Sequence, residues 1–140
     1  MIRFELERAL LSGDLLAQDL PGAWNEAYEK RLGITPKDDT TGCLQDIHWA
    51  DGLIAYFPTY TLGNVYAAQL FAAAERAIGP LEESFAQGNF RTLREWLREN
   101  VHRHGKRYKP AEIIERVTGS APDPSALIES LSRRYTSTLG

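Results

Sequence analysis

The sequence predicts an all-α fold of about seven helices around a buried central helix, roughly residues 58–78. Apolar residues recur at helical spacing along most of the chain, whereas alternation of apolar and polar residues is missing over any useful length. Glycine and proline fall between the periodic stretches, where helices end and begin. Because 140 residues suffice for one hydrophobic core, a single helical domain over residues 1–140 is expected.

The first helix is expected from residue 1 to about Leu11. Its apolar face is formed by Ile2, Leu6, Ala9 and Leu10. No capping residue precedes this pattern, and this favours a chain cut out of a longer one; the alternative is a native helix that is frayed at its start.

A second helix is expected from Asp19, which can cap the first turn, to a glycine stop at Gly33. Residues 34–42 are polar and typical of a turn-rich connection. A short helical stretch is then expected from Leu44 to Trp49, before residues 50–52 break it.

The longest helix is expected from Pro58 to Ile78. It is rich in alanine and apolar nearly all round, which is typical of a buried helix. Four shorter helices should follow it, bounded by glycines and prolines: residues 80–87, 89–104, 110–118 and 124–135.

Composition excludes several functional classes. A net charge of −3 and a pI of about 5.6 give no electrostatic reason to expect nucleic acid as a partner. No stretch reaches the roughly 18 apolar residues that span a membrane, so no membrane partner is expected. The single cysteine, Cys43, cannot form an internal disulfide and suits a reducing cytoplasm. Its side chain is expected to be a small buried hydrophobe rather than a reactive thiol.

Residues 42–63 concentrate side chains that can do chemistry. His48 can bind an oxyanion or a carboxylate, or donate a proton; alternatively it is a core histidine bonded to a backbone carbonyl. Asp46 lies two residues earlier, so on a helix the two side chains diverge, whereas in an extended turn they can meet. Gln45 and Asp46 can orient other groups, or can simply cap a local turn.

Two tyrosines follow in the same region. Tyr56 and Tyr60 are four residues apart at the start of the helix that Pro58 opens, so they can share a face and donate hydrogen bonds to an oxyanion. The alternative is a pair of interfacial aromatics with hydroxyls in water. Further along, His102 and His104 lack the i, i+4 spacing of helical metal ligands and belong to a basic helix end.

The string GCLQDIHW resembles a signature of the Taq-type zinc carboxypeptidases, G-x-x-Q-D-x-H-W. The matching residues are Gly42, Gln45, Asp46, His48 and Trp49. The segments MIRFELERAL, DLPGAWNEAYEKRLG, NVYAAQLF and HRHGKRYKPAEIIERVTG are also similar to the C-terminal region of that family, so the resemblance covers nearly the whole chain.

The next signature block of that family is usually G-x-F-G-Y-F-P-T-Y-x-L-G, and here it reads GLIAYFPTYTLG. Ile54 replaces the usual phenylalanine and Ala55 the usual glycine. If the family's glycine has a positive φ, Ala55 should strain this loop.

The resemblance implies a helical, homodimeric enzyme that removes C-terminal residues from peptides with a metal-activated water. The family holds zinc or cobalt through H-E-x-x-H and a downstream glutamate, whereas the histidines here are only His48, His102 and His104. No metal ligands are therefore expected in this chain, which by itself should be inactive. The resemblance implies a catalytic set of His48, Tyr56 and Tyr60, and a substrate-binding set of Gln45, Asp46, Trp49, Phe57 and Thr59.

Two functional hypotheses follow. In the first, the chain is the C-terminal part of such a carboxypeptidase, and its partners are the C-terminus of a peptide substrate and either the missing N-terminal half or a second copy. In the second, it is a non-catalytic helical module that binds peptides or dimerises.

Overall fold

The structure is a computed structural model that describes residues 1–138, with side chains described up to residue 136. Over residues 1–138 the chain forms seven α-helices and no strand, which confirms the all-α prediction. The helices are α1 (Ile2–Ser12), α2 (Leu20–Leu32), α3 (Phe57–Ile78), α4 (Glu82–Ala86), α5 (Arg91–Asn100), α6 (Pro110–Thr118) and α7 (Ser125–Thr138). Short 3-10 turns occur at Ala17–Asp19, Cys43–Gln45 and His102–His104. None of the described helices is both long and apolar enough to cross a membrane.

The chain divides into two compact units. The first is Met1–Thr61, which contains α1, α2, the long connection after α2 and the first turn of α3. The second begins at Leu62 and contains the remainder of α3 and the helices that follow it. The expectation of a single helical domain stays a prediction.

The core of the first unit is built around Trp24, which is fully buried on α2. Leu6 from α1 and Cys43 from the connection after α2 pack with it. Burial, together with the negative charge of Asp39, raises the pKa of the Cys43 thiol and so disfavours the reactive thiolate. Cys43 is therefore a packing residue, as the sequence predicts.

The short helix expected from Leu44 to Trp49 is absent. Only the 3-10 turn Cys43–Gln45 forms, and Asp46 then adopts an extended conformation with φ −92° and ψ 123°. The Asp46 carboxylate accepts a hydrogen bond from the backbone N–H of His48 at 2.9 Å. Such a local bond from a side chain to the backbone competes with helical hydrogen bonding, which explains why the stretch is not helical.

Burial of α3 differs from the expectation of a helix enclosed nearly all round. Its buried positions in the second unit are Val65, Gln69, Ala73 and Ala74, of which the first three form one stripe along the helix. Phe71, by contrast, is 39% exposed. Alanine favours helix whether or not it is buried, so an alanine-rich sequence predicted the helix correctly and its burial poorly.

Gln69 is a buried polar residue of the second unit with a full set of partners. Its side-chain nitrogen donates to the carbonyl of Ala121 at 3.1 Å, and its side-chain oxygen accepts from the backbone N–H of Asp123 at 2.8 Å. These bonds fasten the segment before α7 onto α3.

Candidate functional site

Asp46, His48 and Tyr60 form a hydrogen-bonded chain in the first unit. The Asp46 Oδ1 atom lies 2.5 Å from His48 Nδ1, and the opposite ring nitrogen, Nε2, lies 2.9 Å from the Tyr60 hydroxyl. The extended conformation at Asp46 makes this possible, because it turns two side chains that would diverge on a helix toward each other. Of the two arrangements that the sequence left open, the structure therefore has the one in which they meet.

The Asp46 carboxylate is held by a cation as well as by His48. Its Oδ2 atom lies 2.5 Å from Arg3 Nη1, and its side chain is only 4% exposed. Burial alone would raise the pKa of Asp46, but hydrogen bonds from the backbone and ring of His48 and the charge of Arg3 outweigh it and hold the pKa below its usual value. Asp46 is therefore an anion at neutral pH.

An ionised Asp46 determines which ring nitrogen of His48 carries a proton. A carboxylate only accepts hydrogen bonds, so Nδ1 is the protonated nitrogen of neutral His48, and Nε2 then accepts from the Tyr60 hydroxyl. If His48 becomes an imidazolium, Nε2 becomes a donor to the Tyr60 oxygen, and the phenol proton is free to point elsewhere. Tyr60 can thus donate a hydrogen bond outward when His48 is charged.

Aromatic rings surround His48. Its ring centroid lies 5.0 Å from that of Phe57, 5.6 Å from Tyr56 and 5.7 Å from Tyr60. Tyr56 and Tyr60 contact each other edge to face at 5.5 Å. Phe57 is buried, whereas Tyr56 and Tyr60 are 41% and 55% exposed, so the cluster has an apolar base and a surface with phenol groups.

A surface pocket of about 470 Å³ adjoins this cluster within the first unit. Arg3, Arg31, Phe57 and Tyr60 are among the residues that line it. Its two arginines are paired with carboxylates, Arg3 with Asp46 and Arg31 with Glu5. A pocket of this size suits a small ligand or one residue of a peptide.

The remaining residues of the two predicted sets lie apart from this chain of hydrogen bonds. Gln45 is exposed and lines a different pocket, beside Trp24 and Tyr28. The Thr59 hydroxyl donates to the Tyr56 carbonyl at 2.6 Å and so stabilises the start of α3. Trp49 packs edge to face on Phe57 at 5.8 Å and donates its indole N–H to Glu7 at 2.9 Å.

Sequence reasoning missed two residues of α1, Arg3 and Glu7. Arg3 pairs with Asp46, and the buried Glu7 carboxylate accepts from Trp49 and from the backbone N–H of Ala55. A signal was present in the sequence. Arg3 and Glu7 are four residues apart and so fall on one face of the helix, beside its apolar positions, where unpaired charge is costly.

Ala55 has a φ of 61°, the left-handed conformation that glycine adopts without strain. The sequence predicted strain here if this position has a positive φ, and Ala55 does have the positive φ on which that prediction depends. The backbone N–H of Ala55 donates to Glu7 at 2.7 Å, so the strained turn is held by a buried carboxylate.

Ala55→Gly should raise the free energy of unfolding by about 1 kcal/mol, because glycine adopts a positive φ without the clash of Cβ with the backbone. Urea denaturation followed by circular dichroism measures this. Ala50→Gly is the matched control: φ at Ala50 is not positive, so the same substitution there should lower stability by about 0.5–1 kcal/mol. A loss of stability at position 55 would contradict the strain.

Acid should remove the stability that Asp46 contributes. Its folded pKa is below the usual value of about 3.9, so the unfolded chain takes up the proton first. The contribution is complete above that value and is lost as the pH falls through the lower folded pKa. Unfolding free energies measured between neutral pH and about pH 2.5 should therefore fall more steeply in the wild type than in Asp46→Asn.

The control for this titration is Asp51→Asn, which changes an exposed carboxylate nearby and leaves the contacts of Asp46 intact. The unfolding free energy of Asp51→Asn should fall with decreasing pH as steeply as that of the wild type. Equal slopes for the wild type and Asp46→Asn would show that the pairing of Asp46 contributes nothing to the acid sensitivity.

Among the residues that the structure describes, no three His, Cys, Asp or Glu side chains come together where they could hold a metal ion. The expectation that this chain supplies no metal ligands stays a prediction.

Comparison with known proteins identifies the family. Residues 1–135 match the model of the carboxypeptidase Taq (M32) metallopeptidases. The chain is 49% identical over 140 residues to thermostable carboxypeptidase 1 of Thermus thermophilus, covering 100% of this chain and 28% of the relative. It is 43% identical over 136 residues to carboxypeptidase 1 of Bacillus subtilis, covering 97% of this chain and 27% of the relative.

Solved structures agree with this result. The M32 carboxypeptidase of Deinococcus radiodurans R1 matches with a TM-score of 0.91 and 49% identity, over 96% of this chain and 27% of that one. Metallocarboxypeptidase 1 of Trypanosoma cruzi matches with a TM-score of 0.92 and 34% identity, over 96% of this chain and 29% of that one. This chain spans roughly a quarter of its curated relatives and corresponds to their C-terminal part. The chain therefore belongs to the carboxypeptidase Taq (M32) family of metallopeptidases.

Proposed function

We propose that this chain supplies the C-terminal part of a metal-dependent carboxypeptidase, where its signature residues form one wall of the peptide groove. Membership of the family supports this assignment. The observation that carries it is the Asp46–His48–Tyr60 chain of hydrogen bonds, which begins at a buried carboxylate and ends at an exposed phenol. Such a chain can deliver a hydrogen bond or a proton to a bound substrate.

Each of the proposed catalytic residues contributes a different group to the site. The Tyr60 hydroxyl donates a hydrogen bond to the oxyanion that forms when the scissile carbonyl is attacked, and the imidazolium form of His48 leaves that hydroxyl free to do so. Tyr56 contacts both rings and presents a second phenol beside them. Asp46, itself paired with Arg3, holds His48 in one orientation through its bond to Nδ1.

The other residues proposed to bind the substrate lie outside the Asp46–His48–Tyr60 chain of hydrogen bonds. Phe57 and Trp49 support the aromatic base of the cluster, and Thr59 fixes the first turn of α3. Gln45 would contact a more distant part of a peptide, since it lines a separate pocket.

The zinc or cobalt ion that the family uses would be held by residues outside these 140. The chain alone is therefore expected to have no peptidase activity, and its partner would be the remainder of such an enzyme, in a homodimeric assembly. A cytoplasmic location fits the single reduced Cys43.

A chimaeric enzyme tests this proposal. This chain replaces the matching C-terminal 28% of the Thermus thermophilus relative, to which it is 49% identical. Hydrolysis of a blocked dipeptide with a free C-terminus is measured for the chimaera and for the 140-residue chain, each with added zinc or cobalt. We expect chelator-sensitive turnover by the chimaera and none by the chain alone.

Each part of the proposal has its own contrary result. Chelator-sensitive turnover by the 140-residue chain would overturn the claim that it is inactive alone. A folded chimaera that binds metal but hydrolyses nothing would overturn the role of this chain in the groove.

A second candidate function is a non-catalytic helical module that dimerises or binds peptides. Large apolar side chains that are more than half exposed favour it, among them Leu44, Ile47, Ile128 and Tyr135. Sedimentation velocity of the 140-residue chain is the test for self-association. A stable monomer at high concentration would count against dimerisation.

A further inference from the structure

Glu7 is a buried carboxylate with two hydrogen-bond donors and no part in the proposed chemistry. It is 3% exposed, on the inner face of α1. Its Oε2 atom accepts from the indole N–H of Trp49 at 2.9 Å, and its Oε1 atom accepts from the backbone N–H of Ala55 at 2.7 Å. Burying a carboxylate is costly, and charge-assisted hydrogen bonds of this kind offset the cost.

The two donors lie at the ends of a short loop, residues 49–55. Trp49 directly follows His48, and Ala55 directly precedes Tyr56. Glu7 therefore accepts a hydrogen bond from each end of the loop, at the two points where the loop joins the aromatic cluster. The bond from Ala55 involves a residue whose φ of 61° is strained for alanine. This turn therefore needs a restraint from outside the loop.

We propose that Glu7 is a positioning residue that acts through Trp49 and Ala55 to hold His48 and Tyr56 in the arrangement seen here, and with them the hydrogen bond between His48 and Tyr60. Its importance for catalysis rests on the function proposed above. Without the carboxylate, Ala55 relaxes toward a negative φ, the direction of the chain entering Tyr56 changes, and the ring of His48 loses its fixed distance to Tyr60.

Histidine ring ¹⁵N signals test this directly in the 140-residue chain. They report which ring nitrogen carries the proton and whether it is hydrogen-bonded. In Glu7→Gln, the His48 Nε2 signal should shift toward that of a nitrogen without a fixed hydrogen bond, because Nε2 loses its fixed distance to the Tyr60 hydroxyl, whereas Nδ1 keeps Asp46 as its partner. His102 and His104 are internal references and should not move.

Glu5→Gln is the matched control, since it makes the same change on the same helix at an exposed carboxylate bonded to Arg31. It should leave the His48 signals unchanged. Ala55→Gly provides a second comparison, because glycine holds a positive φ without help. The shift that Glu7→Gln causes should therefore be smaller when position 55 is glycine, and an equal shift in both backgrounds would overturn the proposed route through Ala55.

Trp49→Phe keeps the proposal testable if Glu7→Gln does not fold. It removes one of the two donors and leaves the bond from Ala55 to Glu7, so it should shift the His48 signals in the same direction by a smaller amount. Unchanged His48 signals in a folded Glu7→Gln or Trp49→Phe chain would overturn the proposal.

Kinetics in the chimaera separate this inference from the proposed function. There, Glu7→Gln should lower kcat about tenfold with little change in KM, as expected for misplaced groups rather than lost binding. If the His48 signals respond to Glu7→Gln while kcat does not, the positioning role stands and the role of His48 in catalysis falls. If neither the His48 signals nor kcat responds, the positioning role of Glu7 is contradicted and the proposed function is unaffected.

Discussion

His48→Ala in the chimaeric carboxypeptidase is expected to lower kcat/KM about 100-fold. The substitution removes the ring that bridges the Asp46 carboxylate and the Tyr60 hydroxyl, so the phenol loses the partner that orients it. It also leaves Asp46 with Arg3 as its remaining side-chain partner. Steady-state hydrolysis of a blocked dipeptide measures the loss, with bound metal determined on the same sample.

Tyr60→Phe shows how much of that loss belongs to the phenol. It keeps the ring that contacts His48 and Tyr56 and removes only the hydroxyl. If Tyr60 stabilises the oxyanion, kcat should fall with little change in KM.

His102→Ala is the matched control for these kinetics. His102 lies in the second unit, in the 3-10 turn after α5, and is exposed. This variant should retain the kcat/KM of the parent chimaera. A His48→Ala chimaera that retains activity within about twofold would contradict the catalytic role proposed for His48.

Trp24→Ala is expected to lower the free energy of unfolding by about 3–5 kcal/mol, a large part of the total stability of a typical domain. Trp24 is fully buried, and its ring stacks on Tyr28 at 4.9 Å and meets Trp49 edge to face at 6.4 Å. Truncation opens a cavity between α1 and α2 that their helical backbones cannot close. Urea denaturation followed by circular dichroism measures the change.

Trp24→Phe should cost much less, about 1–2 kcal/mol. The indole Nε1 of Trp24 is buried without a hydrogen-bond partner among the described atoms, so phenylalanine loses packing volume but no hydrogen bond. A loss as large as that of Trp24→Ala would show that this nitrogen has a partner in solution. Leu16→Ala, at a position 58% exposed, serves as a surface control and should stay within about 0.5 kcal/mol of the wild type.

Most helices could be predicted from the sequence because their signals are local. Gly33, with a φ of 65°, ends α2 where it was expected to, and α6 begins at Pro110 as predicted. Within the short helix expected from Leu44 to Trp49, the part from Asp46 onward was predicted wrongly. There the outcome depends on whether the Asp46 carboxylate binds the backbone N–H of His48, a contact that apolar spacing does not reveal.

The residues of the candidate site were also readable from the sequence, since His48, Tyr56 and Tyr60 stand in a recognisable signature. Their hydrogen bonds were not. The sequence left open whether Asp46 and His48 meet, and it gave Arg3 and Glu7 no role. The strain at Ala55 could be predicted only because the signature has glycine there.

The sequence by itself thus determined the helical class, the family and the residues of the aromatic cluster. These depend on spacing, caps and motif, which act over a few neighbouring residues. The tertiary structure decided how the cluster is held, because its supports come from α1. Glu7 is 42 residues from Trp49 and 48 from Ala55, and at such separations only the packing of the chain determines which carboxylate meets which donor.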